Sequence, residues 1–155
     1  MLQTCPEASL EIPVVIMRHQ VLCQIMNTIA ARPAETGGIL LGPIESEVID
    51  DYYFDATADC SQVTYSPDYL TLRKKMKEDW IPGGRDMKGF VHSHPDALDR
   101  LSGGDLEYIR RLLKSNPDMQ QFVAPIVIPS QFRIAVFVVR QQQPHIAFPA
   151  QLLLD

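Results

Sequence analysis

The chain has 155 residues, 46% of them apolar and 21% charged, with a formal net charge of −5 at pH 7. That length supports one well-cored domain spanning residues 1–155, and the composition is that of a soluble globular protein, not a disordered or fibrous one. The mild acidity gives nucleic-acid phosphates no basic stripe to bind, and no apolar run is long enough to span a bilayer. The first thirteen residues, MLQTCPEASLEIP, lack the basic start and apolar stretch of a secretory signal. Cys5, Cys23 and Cys60 form an odd set without close pairs, so neither a disulfide framework nor a CxxC knuckle is implied. These features lead us to expect a cytoplasmic protein with reduced thiols.

In chain order, Ile12 to Met17 is a short β-branched run and reads as a strand. A helix follows from about His19 to Ala31. In it Val21, Leu22, Ile25, Met26, Ile29 and Ala30 recur at helical spacing on one face, and Arg32-Pro33 stops it. Thr36 to Leu41 and Val48 to Phe54 read as strands with a turn at Gly42-Pro43, and residues near Gln62 to Tyr65 as a further strand. Ser66-Pro67-Asp68 combines a cap, a proline at the first helical position and an acid favoured by the helix dipole, which predicts a helix to about Glu78. The breaker-rich segment WIPGGRD separates it from a buried strand over Lys88 to Ser93. Ser102 then caps a helix that ends before Asn116-Pro117. Val123 to Ile128 and Phe132 to Arg140 form a hairpin, and His145 to Phe148 an edge strand. Helices interleaved with strands point to an α/β or α+β sandwich, one sheet with helices on its faces.

The chemistry is concentrated in VHSHPDALDRLSGGD, residues 91–105. His92 and His94 stand two apart at the end of an apolar strand, so both rings project from the same face and make a natural pair of zinc ligands. Pro95 ends the strand, and Asp105 falls in the first turn of the next helix. A carboxylate there completes a His-His-Asp set and leaves a fourth tetrahedral position open, as in catalytic rather than structural zinc sites. Ser102 to Asp105 also resembles a capping arrangement that needs no metal, and the serine caps the helix in either case. Finding these four residue types at these offsets by chance is on the order of one in a few thousand for this composition. Gly103-Gly104 is a poor helix start on propensity and suits a place where bulk would block a ligand. A zinc-activated water also needs a base. Glu35 precedes the glycine pair of TGGILLG, but spacing alone does not separate it from Glu45, Glu47, Glu78 or Glu107.

Taken together these residues resemble the JAMM, or MPN-domain, metallopeptidases. That pattern is an upstream glutamate, then His-x-His-Pro, six residues, a serine, two residues and an aspartate. Here it reads Glu35 in ETGGILLG, His92-Ser93-His94-Pro95, Ser102 and Asp105, without departure. The resemblance implies an α/β, cytidine-deaminase-like three-layer sandwich, one mixed curved sheet with helices on both faces. It implies one zinc ion held by His92, His94 and Asp105, with Glu35 as general base and Ser102 as oxyanion donor. It further implies a compact prokaryotic peptidase that cleaves after the C-terminal glycine of a ubiquitin-like protein, with an activating or conjugating enzyme as an associated partner.

Trp80 is a candidate substrate contact, since insertions before the His-x-His strand hold the modifier tail in relatives; packing on its own helix is the favoured alternative. His19 and His145 read as surface or strand-edge residues, and Leu152-Leu153-Leu154 as an ordered tail covering apolar surface. A cysteine-releasing or precursor-processing peptidase acting on a sulfur carrier would share every residue named here, and two functions of other kinds remain open. One is a RadC-like, DNA-associated protein, disfavoured by the acidity and by the eleven or so residues before the first strand. The other is a non-catalytic assembly module, disfavoured by the complete residue set.

Overall fold

The computed structural model describes residues 11–30, 36–55, 59–61, 64–66 and 69–155. Its centre is a six-stranded mixed sheet. In chain order the strands are β1 (Val14–Met17), β2 (Gly37–Pro43), β3 (Asp51–Phe54), β4 (Asp59–Ser61), β5 (Thr64–Ser66), β6 (Arg85–Ser93), β7 (Gln121–Ile128), β8 (Arg133–Arg140), β9 (Gln143–Pro149) and β10 (Gln151–Leu154). The main sheet runs β3-β2-β6-β7-β8-β9, while β1 pairs with β10 and β4 with β5 in separate two-stranded ribbons. Only β6 and β7 are parallel within the main sheet, as expected for two strands joined by a helical crossover.

That crossover is α3 (Gly103–Ser115); the other helices are α1 (His19–Thr28) and α2 (Tyr69–Lys75), which continues as a π-helical turn over Met76–Trp80. Central strands that must bury both faces read as continuous apolar runs, and their successive side chains feed two separate cores. Ile39, Phe90, Phe122, Ala124 and Ile126 pack with Leu72 of α2 and Ile109, Leu112 and Leu113 of α3. Leu40, Val91, Val123, Val127 and Val138 pack with Val21 and Ile25 of α1 on the opposite face. The chain is therefore a mixed α/β structure with helices on both faces of its sheet, as the resemblance implied.

Several boundaries differ from the sequence expectation, each for a local reason. The strand expected to turn at Gly42-Pro43 runs through it, with Gly42 opposite Asp86 and Pro43 opposite Arg85. Gly42 serves close approach rather than a turn: a Cβ there would lie 2.0 Å from the Val48 carbonyl oxygen. The strand expected from Val48 begins only at Asp51, preceded by a single bridge between Ile49 and Met17. Helix α1 stops at Thr28, whose hydroxyl donates back to the Gln24 carbonyl at 2.8 Å; Ala31 and Arg32-Pro33 lie outside the described residues. So do Gln62 of the expected strand and Pro67-Asp68 of the expected helix start. The helix they introduce extends beyond Glu78 to Trp80. The central strand β6 begins three residues earlier than expected, at Arg85.

The terminal leucines belong to β10, which pairs in parallel with β1 from Val14↔Gln151 to Met17↔Leu154. Leu152 joins the α1 core, while Leu153 and Leu154 remain about half exposed. His19 and His145 are both exposed. No helix among the described residues is long and apolar enough to cross a membrane.

Two contacts hold the end of α3 and the centre of the sheet. The Gln141 side-chain amide donates to the carbonyls of Leu113, Asn116 and Met119 at 2.8–3.1 Å, closing the C-terminus of α3. At Gly89, an added Cβ would meet the Val123 carbonyl oxygen at 1.7 Å, so β6 and β7 approach each other over a missing side chain. Gly89→Ala must force these strands apart and is expected to destabilise the protein by about 3 kcal/mol, read as a lowered urea midpoint at unchanged slope. An unchanged midpoint would show that the sheet has slack at this position.

Candidate metal centre

The site forms where the C-terminal end of β6 meets the N-terminus of α3. His92 and His94 project from the same face, and Ser93 between them projects from the other. His94 lies one residue past the end of β6, yet its N–H still donates to Val127 O at 2.9 Å, so both histidines stand on backbone tied to β7. The apolar face of α3 is anchored by Ile109 and Leu113, each fully buried. This packing brings Asp105, in its first turn, down onto the two imidazoles. All three residues are buried, at 0%, 5% and 5% exposure for His92, His94 and Asp105.

Their potential ligand atoms converge. His92 Nε2 and His94 Nε2 are 2.9 Å apart, and Asp105 Oδ2 is 3.2 Å from the first and 3.4 Å from the second. Zinc bonds of 2.0–2.1 Å in a tetrahedron require ligand-to-ligand edges of about 3.3 Å, so the observed triangle has the right size. The hydrogen count agrees. His94 Nδ1 lies 2.8 Å from the Leu98 carbonyl oxygen, which can only accept, so the neutral ring carries its proton on Nδ1 and presents a lone pair at Nε2. A neutral His92 contributes at most one proton to the cluster and Asp105 none. Three electron-pair donors that share so few hydrogens in a buried space are a donor set for a cation.

Electrostatics favour the ligand form of Asp105. Burial pushes its carboxyl upward, but contacts with His92 and His94 and the hydrogen bond from Ser102 outweigh this and hold it well below the usual carboxylate range. The Ser102 backbone N–H donates to Asp105 Oδ2 at 2.8 Å, and the Asp105 N–H donates to Ser102 Oγ at 3.1 Å, a reciprocal capping box. The expected cap is therefore present and also fixes the orientation of the Asp105 carboxylate. Packing among the described residues does not require the neighbouring glycines: a Cβ at Gly103 would meet none of their atoms within 4 Å, and one at Gly104 would meet Ser102 Oγ at an ordinary 3.8 Å.

Glu35 lies outside the described residues. The residue after it is held firmly: Thr36 N–H donates to Ser93 Oγ at 3.0 Å, and Ser93 N–H donates to Thr36 O at 2.9 Å. Ser93 thus straps the segment that follows Glu35 to the strand between the two histidines. Reasoning from sequence missed this role, although period-2 alternation already turned Ser93 away from the histidine face. It also missed Leu98, whose contribution is a backbone carbonyl and leaves no side-chain signature. Trp80 is half-buried at the margin of the α3 core, with its ring edge-on to Tyr53 at 5.7 Å.

A mixed α/β sandwich with a buried His-His-Asp cluster between its central strand and the following helix defines the class of this protein. The family model of prokaryotic homologs of the JAB domain matches residues 19–146, and the chain belongs to that family. Among solved structures, it is similar to the solution structure of protein DSY2949 from Desulfitobacterium hafniense, with 20% identity over 92% of each chain and a TM-score of 0.67. A second is AF2198, a JAB1/MPN domain protein from Archaeoglobus fulgidus, with 18% identity, covering 91% of this chain and 98% of that one at a TM-score of 0.49. No curated protein matches the chain.

Two measurements check the centre. Ser102→Ala removes the acceptor for the Asp105 N–H and is expected to cost about 1 kcal/mol of stability; unchanged stability would leave the cap without energetic weight. Zinc uptake should be stoichiometric in the parent and greatly reduced in His92→Ala. Metal analysis of the purified proteins tests this, and undiminished zinc in His92→Ala would remove that residue from the donor set.

Proposed function

We propose that this protein is a zinc-dependent peptidase that hydrolyses the peptide or isopeptide bond after the C-terminal glycine of a ubiquitin-like protein. The observation that carries this reading is the convergence of His92, His94 and Asp105 into a buried, hydrogen-poor triangle of zinc dimensions. Three protein ligands leave room for substrate and water, which suits catalysis rather than structural support. Zinc bound there would supply Lewis-acid activation of the scissile carbonyl and of the attacking water.

The chain's own residues supply the rest. Glu35, in the segment that leads into Thr36 and β2, takes a proton from the attacking water and passes it to the leaving amine, so the proton count balances over the cycle. Ser102 Oγ accepts from the Asp105 N–H, which leaves its hydroxyl hydrogen to donate to the oxyanion of the tetrahedral intermediate. A glycine-ended tail suits the site because an extended segment without side chains can enter a narrow cleft and add to a sheet edge. An activating or conjugating enzyme for the same ubiquitin-like protein is the expected functional associate.

The test is incubation of zinc-loaded protein with ubiquitin-like proteins extended or conjugated beyond their terminal glycine, with scission read by mass spectrometry. Cleavage at the glycine is expected. Glu35→Ala should retain zinc and lose about 10²–10⁴-fold in rate, the usual contribution of a positioned base. Loss of zinc along with activity, or surviving cleavage, would remove Glu35 from the role of base. A zinc-replete parent inert toward all such substrates would favour an assembly module instead.

A further inference from the structure

His94 takes its tautomer from a carbonyl that belongs to no strand or helix. Leu98 lies in the loop between β6 and α3, where Pro95, Asp96 and Ala97 are all exposed. Two consecutive turns bring it back to the imidazole. The Ala97 N–H donates to His94 O at 3.1 Å, closing a four-residue turn from His94. Asp96 Oδ1 then accepts from the Leu98 N–H at 3.2 Å, closing a second turn of the Asx type. Between them Ala97 sits at φ +63°, in the left-handed region that residues with a Cβ seldom occupy. The Leu98 peptide is thereby held by its N–H at Asp96 and by its carbonyl at His94 Nδ1, 2.8 Å away.

We infer that Asp96 and Ala97 are positioning residues of the metal centre: the Asp96 carboxylate locks a strained turn that aims the Leu98 carbonyl at His94 and so sets the affinity of the site for zinc. This rests on the zinc assignment above. Strained backbone persists only where its surroundings over-determine it, and it concentrates at functional sites. Without the Asp96 acceptor the Leu98 peptide can rotate, His94 can shift its proton to Nε2, and in that tautomer the nitrogen facing His92 and Asp105 no longer ligates. The nearby Asp99 has a different task, since its carboxylate meets Arg133 at 3.3 Å across the exposed surface.

The experiment compares the full-length parent with Asp96→Ala, Asp96→Asn and Asp99→Ala. Zinc affinity is measured by competition with a chromophoric chelator, and ligand geometry by the absorption spectrum of the cobalt(II) form. The His94 tautomer is read from long-range imidazole ¹H–¹⁵N spectra of the zinc-free protein. Asp96→Ala is expected to weaken zinc binding about tenfold, as loss of an outer hydrogen-bond partner does elsewhere, to alter the cobalt bands and to populate the Nε2–H form. Asp96→Asn keeps the acceptor oxygen and should bind within about twofold of the parent, and Asp99→Ala should bind like the parent. The melting temperature of the zinc-free variants should not change.

Parent-like affinity and cobalt bands in Asp96→Ala would overturn the inference while leaving the zinc assignment intact. So would an equal loss in Asp96→Asn, or a loss that merely tracks a lowered melting temperature. A parent that takes up neither zinc nor cobalt would overturn the zinc assignment and this inference with it.

Discussion

A carboxylate and two imidazoles buried against one another are the constraint around which this protein is organised. Burying an ionised carboxylate is costly unless it is paired and hydrogen-bonded. Asp105 is satisfied by the Ser102 N–H and by the histidines, and it remains ionised despite its depth. The arrangement therefore depends on two elements of adjacent layers meeting at one point: the end of the central strand β6 and the first turn of the helix that follows it. Several packing features serve that meeting. Ile109, Leu112 and Leu113 hold α3 on the sheet, Gln141 closes its far end, and Gly89 lets β7 approach β6 closely enough to support both histidines.

The same strand explains why the site is rigid on one side and turn-built on the other. From the sheet side, Ser93 projects away from the histidines and ties down Thr36, so the start of β2 is registered against the donor set through Gly37↔His92. From the loop side, a carbonyl carried by two consecutive turns meets His94 Nδ1. A metal site needs its donors held to within a fraction of an ångström, and the two sides hold the candidate donors by different means. The sheet does so by ladder hydrogen bonds that also stabilise the fold. The loop does so by local hydrogen bonds and a left-handed alanine that contribute little to it.

How much of this was legible in the residues follows from the range of each interaction. The two-residue spacing of His92 and His94 marked them as sharing a face because strand periodicity is local. Ser102 and Asp105 announced both a cap and a ligand because the first turn of a helix is local too. The alternation of helices and strands pointed to one sheet with helices on its faces, and the family resemblance placed them on both faces. Gly42-Pro43 misled because glycine and proline mark turns in most settings, whereas here glycine answers a long-range crowding by the Val48 carbonyl that no local pattern records.

The sequence by itself determined the candidate donors, the cap and a single sheet with helices on its faces, since each is written in side-chain type and short-range period. Only the tertiary structure decided that the candidate donors close to zinc dimensions, that Ser93 straps Thr36, and that the Leu98 carbonyl meets His94 Nδ1 and leaves Nε2 facing His92 and Asp105. The triangle depends on how α3 packs against β6, and the other two contacts are made by backbone groups; a hydrogen bond accepted by a carbonyl leaves no trace in the identity of the residue that carries it.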